Sequence, residues 1–105
     1  MKKAFIYIAF FSLSIVSCST DDEPVIPIAC MQVDFHNAPR NMPIHFTSCS
    51  TDADELLWNM GDGGNSFTFS TVYYAYSDTG TYVVTLIATT GNFSDTITDT
   101  IHITD

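Results

Sequence analysis

Trp58-Asn59-Met60-Gly61-Asp62-Gly63-Gly64 opens the stretch that decides the fold, and Tyr76-Ser77-Asp78-Thr79-Gly80-Thr81-Tyr82-Val83-Val84-Thr85-Leu86 closes it. Leu56, Trp58 and Met60 alternate with polar residues as one face of a strand does. The glycines that follow admit positive φ, and Asp62 can accept backbone N–H bonds across the turn. Val72, Tyr74 and Tyr76 make the next inward set. A turn at Asp78-Thr79-Gly80 then leads to the longest clean strand, with Tyr82, Val84, Leu86 and Ala88 inward. Gly91-Asn92 marks a hairpin, and Phe93 to Thr104 returns with Ile97, Ile101 and Ile103 inward. Asp99 falls on the inward parity of that strand, so a bulge or a change of pairing is expected beside it. About seven short strands and no helical period after the leader predict an all-β, immunoglobulin-like β-sandwich.

The chain has 105 residues, of which the first 17 read as a leader. The remaining 88 suffice for one small domain with a thin core. Lys2, Lys3 and Arg40 are the only Lys or Arg residues, so without the leader 12 acidic residues face Arg40 alone. Such a surface repels phosphate backbones and argues against nucleic acid as a partner. Solubility of an exported protein is the simplest reading of the acidity.

Met1-Lys2-Lys3 precedes the uncharged, mostly apolar run from Ala4 to Val16. Thirteen residues suit a signal-peptide core, whereas a spanning helix needs about 20. Ile15-Val16-Ser17-Cys18 resembles a bacterial lipobox, which implies cleavage before Cys18 and lipidation of that cysteine, palmitate included. Ordinary secretion with cleavage elsewhere is the alternative. The expected organisation is a lipoprotein signal peptide over 1–17, an acidic tether over 18–27 and the sandwich over 28–105. An outer-membrane lipid anchor follows, since several acyl chains, each buried methylene worth about 0.8 kcal/mol, hold a protein durably on a bilayer. The acidic residues after Cys18 also resemble the surface-export signal of lipoproteins in Bacteroidota. Sequence leaves the cell surface and the periplasmic face both open.

Cys30 and Cys49 lie in exported sequence, where a disulfide persists. An antiparallel register placing Val33 opposite Phe46 and Phe35 opposite Ile44, with the turn at Pro39-Arg40-Asn41, puts Cys30 directly opposite Cys49. A structural bridge is therefore expected. The same register sets Asp34 beside His45 as a weak ion pair.

The chain as a whole resembles the polycystic-kidney-disease (PKD) domain. That family's signature runs tryptophan, Asp or Asn, aromatic, Gly-Asp-Gly, then Pro-x-His-x-Tyr, then Gly-x-Tyr-x-Val-x-Leu. Trp58, Asn59, Gly61, Asp62 and Gly63 match its first part, Tyr76 the tyrosine of the second, and Gly80, Tyr82, Val84 and Leu86 the third. Met60, Val72 and Tyr74 depart from it and remain bulky or apolar. The resemblance implies a non-catalytic extracellular module that contacts proteins or carbohydrates or acts as a spacer.

Enzymatic readings fail on inventory. Asp52, Asp54 and Glu55 sit in or beside a loop, His36, His45 and His102 have no ligand spacing, and no nucleophile elbow or phosphate loop occurs. Asp52, Asp54, Asp62 and Asp78 offer hard oxygens for calcium, but not in the spacing of a dedicated calcium loop, and Asp62 reads better as a turn acceptor. No cofactor is expected. The binding candidates are aromatic: Phe67, Phe69 and Tyr73, beside a short strand near a sheet edge, form a ligand platform if exposed together and core cover if not. Asp95-Thr96-Ile97 and Asp99-Thr100-Ile101 resemble the O-glycosylation motif of Bacteroidota, and both also read as plain strand.

Overall fold

Strands β1 (Met31–Val33), β2 (Asn37–Pro39), β3 (Ile44–Ser48), β4 (Glu55–Asn59), β5 (Ser66–Phe67), β6 (Thr71–Tyr74), β7 (Gly80–Thr90) and β8 (Phe93–Thr104) build the domain in a computed structural model that describes residues 24–105. They form two facing sheets, a three-stranded one ordered β1-β3-β6 and a five-stranded one ordered β2-β8-β7-β4-β5. All pairings are antiparallel except β2 on β8. Cys18 and the leader lie outside the described residues.

Period-2 alternation fills the space between the sheets. Ile44, Phe46 and Val72 point in from one side, and Trp58, Val84, Leu86, Ile101 and Ile103 from the other. Each fully buried aliphatic or Phe side chain stabilises by about 1.5–3 kcal/mol. Trp58 lies at the centre, its ring edge-on to Phe46 at 6.1 Å between centroids. Its indole N–H donates to the Phe69 carbonyl at 2.7 Å, so the buried polar atom is satisfied.

Val33 pairs with Phe46 and Met31 with Ser48, and the same register continues to an isolated bridge between Ile28 and Thr51. Cys30 and Cys49 face each other within it and are disulfide-bonded, with Cα atoms 4.8 Å apart. The Cys49 N–H donates to the Cys30 carbonyl at 2.9 Å.

The expected sandwich of about seven strands is the fold observed, with eight among the described residues because β2 and β5 are three- and two-residue pieces added at the edges of the larger sheet. Pro39 is tolerated there because an edge strand has one side with no ladder to donate to. Three finer expectations need correction or narrowing. Phe35 does not pair with Ile44: the ladder stops at Val33 because the chain leaves for β2 in the other sheet, and Phe35 is exposed. Asp34 makes no ion pair with the His45 ring; its Oδ1 accepts the His45 backbone N–H at 2.9 Å. Finally, β8 carries no bulge, since its pairing with β7 runs unbroken from Gly80↔Ile103 to Thr90↔Phe93. Of the two alternatives it is the change of pairing that occurs, where β2 joins the strand's other edge at Asn37↔His102. Asp99 keeps its inward parity because β1 has already ended, and its carboxylate meets His36 Nε2 at 2.7 Å instead of core.

Candidate functional site

The signature residues brace the sandwich. Asn59 Oδ1 accepts the Gly61 N–H at 2.9 Å and Asp62 Oδ1 accepts the Gly64 N–H at 3.0 Å, which closes the turn after β4. Gly61 has φ 84°, and a Cβ there would run into the Val83 carbonyl oxygen. Tyr76 is buried and donates its hydroxyl to the Met60 carbonyl at 2.7 Å, while its ring stacks on Tyr82 with centroids 4.2 Å apart. Tyr74 donates to Asp62 Oδ2. That bond to a carboxylate, with burial second, pushes the Tyr74 phenol up to about 12, and burial raises Tyr76 further. Asp62 is thus occupied twice by the fold.

The three aromatic candidates do not assemble. Phe67 lies on β5, half-buried against the core and edge-on to Tyr74 at 5.8 Å. Phe69 is 68% exposed in the crossover between the sheets. Tyr73, 70% exposed, belongs to β6 in the other sheet. A joint platform of Phe67, Phe69 and Tyr73 is excluded because Phe67 and Tyr73 are on different sheets, one facing the core and one facing out.

A different group forms around Tyr73. On β6 and β3, Tyr73 pairs with His45, and their rings stack at 4.5 Å and 8°. Asp34 continues that row across the sheet through its bond to the His45 backbone. The next row is Thr71, Thr47 and Gln32, paired in register. Thr47 Oγ1 lies 3.3 Å from His45 Nε2. Beyond β1 a groove continues past Gln32 and Asp34 to His36 and Asp99. The outer face of the small sheet therefore offers one flat aromatic surface bordered by hydroxyl, amide, imidazole and carboxylate groups. From the sequence, His45 is placed only beside Asp34 and among histidines with no ligand spacing, and its stacking on Tyr73 is missed. Its outward parity on β3, set against that of Tyr73 on β6, was the available signal, and reading it required the β3–β6 register.

The remaining candidates stay apart. His102 Nδ1 lies 3.2 Å from Thr81 Oγ1, and the Asp52 carbonyl accepts the Thr90 hydroxyl. Among the described residues no three His, Cys, Asp or Glu side chains converge as metal ligands. Thr96 and Thr100 are exposed on the outer face of β8.

The PKD domain model matches residues 22–104. A solved structure that reports the basis for promiscuous specificity in carbohydrate-binding modules of the β-sandwich superfamily superposes with TM-score 0.68 at 30% identity, over 75% of this chain and 34% of that one. This chain thus spans about a third of that relative. The PKD1 domain of the Vibrio cholerae metalloprotease PrtV superposes with TM-score 0.62 at 25% identity, over 75% of this chain and 98% of that one. The PKD1 domain of Vibrio anguillarum Epp shares the fold with TM-score 0.63 at 21% identity, over 77% and 96% of the two chains. No curated protein gives a significant match.

Proposed function

Because the chain belongs to the PKD domain family, we propose that it is a non-catalytic binding module whose small-sheet outer face holds carbohydrate. The observation that carries this reading is the exposed Tyr73 ring lying flat on His45 with Thr47 and Gln32 in the adjoining row. An aromatic face packs on the apolar face of a sugar ring, and a surrounding ring of donors and acceptors orients its hydroxyls. The excess of carboxylates over Arg40 favours neutral sugars over uronic or sulfated ones. The likeness to a carbohydrate-binding-module structure supports the same reading. In this proposal Cys18 carries the lipid that holds the domain on the outer membrane, at the cell surface or periplasmic face, with residues 18–27 as tether.

Affinity electrophoresis and calorimetry against soluble neutral glycans test the reading. Tyr73→Ala abolishes binding and changes folding stability by less than about 0.5 kcal/mol, as surface substitutions do. Binding that survives Tyr73→Ala removes the platform. Failure to bind any glycan favours the accessory or spacer role that the match to a metalloprotease's PKD1 domain supports. Cys18→Ser moves the protein from the membrane to the soluble fraction if the anchor is there.

A further inference from the structure

The outer edge of the five-stranded sheet is only half closed. β5 pairs with β4 at Trp58↔Phe67 and Asn59↔Ser66 and goes no further. Continued in that register, Thr68, Phe69 and Ser70 would lie opposite Leu57, Leu56 and Glu55. They do not, because the chain leaves the sheet there: the Trp58 indole holds the Phe69 carbonyl and the Ser70 carbonyl accepts the Ser48 N–H at 2.8 Å in the other sheet. Glu55, Leu56 and Leu57 are left with β7 on one side and, among the described residues, no strand on the other. A groove of about 640 Å³ opens along this edge between Leu56 and Leu57 on one wall and Thr68 and Ser70 on the other.

We infer that this vacated slot is a strand-docking site for an extended basic peptide, which would extend the sheet beside β4. An unpaired strand edge supplies main-chain donors and acceptors to an added strand, and side chains in alternate positions set the preference. Here the preference is readable. Glu55 and Leu57 both point to the outer face, with Leu57 42% exposed over Ile87. Asp54 borders the groove at the Glu55 end. Arg40, the only Lys or Arg in residues 24–105, is bonded to Asp105, so neither Asp54 nor Glu55 has an ion-pair partner among the described residues. The complementary strand carries Lys or Arg opposite Glu55 and an aliphatic residue two positions along, opposite Leu57. The site lies on the sheet that does not carry Tyr73 and stands whether or not that face binds sugar.

A titration of the isotope-labelled full chain in neutral detergent tests it, with the acetylated hexapeptide Ser-Lys-Thr-Val-Thr-Gly as probe. The backbone amides of Glu55, Leu56 and Leu57 shift on addition, and Glu55→Lys weakens binding about fivefold, as loss of one exposed charge pair does. Two peptide controls need no change to the protein: exchanging Lys for Glu weakens binding by a similar factor, and N-methylating the alternate peptide amides that face β4 removes the shifts, whereas N-methylating the other set leaves them. Shifts centred elsewhere overturn the proposal, as does binding indifferent to N-methylation. Absence of binding at millimolar peptide also overturns it, and leaves Glu55 as a charge that only guards an open edge against pairing.

Discussion

Tyr76 and Tyr82 make the same hydrogen bond in two different media, and removing each hydroxyl separates burial from bonding. Tyr76 is 1% exposed and donates at 2.7 Å to the carbonyl of Met60, also 1% exposed. Tyr82 donates at 2.8 Å to the Asp78 carbonyl at the surface. Tyr76→Phe keeps the ring, its stacking on Tyr82 at 4.2 Å and its edge contact with Tyr74 at 4.9 Å. What it removes is the donor to a buried carbonyl that water cannot reach. An unsatisfied buried acceptor costs about 1–3 kcal/mol. In a domain of this size each kcal/mol shifts Tm by about 4–8 °C, so a loss near 2 kcal/mol lowers Tm by about 8–16 °C. In Tyr82→Phe, water takes over the Asp78 carbonyl, and the change stays within about 0.5 kcal/mol. Urea denaturation followed by the fluorescence of Trp58, the only tryptophan, measures both. The midpoint moves and the m-value does not, because the surface exposed on unfolding is the same. If Tyr76→Phe costs no more than Tyr82→Phe, the Met60 carbonyl is not isolated from water and the reasoning fails.

Three further outcomes follow from the same structure. Gly61→Ala, which forces a Cβ onto a φ of 84° and into the Val83 carbonyl, destabilises by about 2 kcal/mol or more, whereas Gly63→Ala, with φ 78° and nothing within 4 Å, costs about 1 kcal/mol; urea midpoints rank the two. Replacing Cys30 and Cys49 together by Ser lowers stability by about 3 kcal/mol, since the bridge closes a loop 19 residues apart in sequence; equal midpoints with and without the bridge would sink that estimate. Alkaline titration destabilises the fold: Tyr74 is pushed up to about 12 and Tyr76 higher, so above pH of about 10 the unfolded chain releases protons the folded one retains, and stability falls as pH rises. Tyr74→Phe flattens part of that slope in pH-dependent urea curves.

Local chemistry made the sandwich readable. Alternation at Leu56–Met60 and Tyr82–Ala88 needs only a period of two, and the Gly61-Asp62-Gly63 turn needs only backbone freedom and one nearby carboxylate. Cys30 and Cys49 were also within reach, because one register carries from Val33↔Phe46 outward to both sulfurs. Tyr74 illustrates the boundary: its inward parity is in the sequence, but its bond to Asp62 joins the end of β6 to the turn after β4, which no period relates.

Where the chain changes sheet, reasoning from residues in order lost its hold. Phe35 obeys the alternation of β1 yet lies past its end, and Asp99 holds inward parity opposite a crossing instead of a core. Phe67 and Tyr73 are six residues apart and fall on different sheets, so their closeness in sequence misrepresents the surface. His45 and Tyr73 are 28 positions apart and stack. Strand propensity and turn chemistry act over a few residues and are written along the chain. Which strand adds to which sheet depends on burying both faces at once, and that balance placed Tyr73 on His45 and left the edge at Glu55 to Leu57 open.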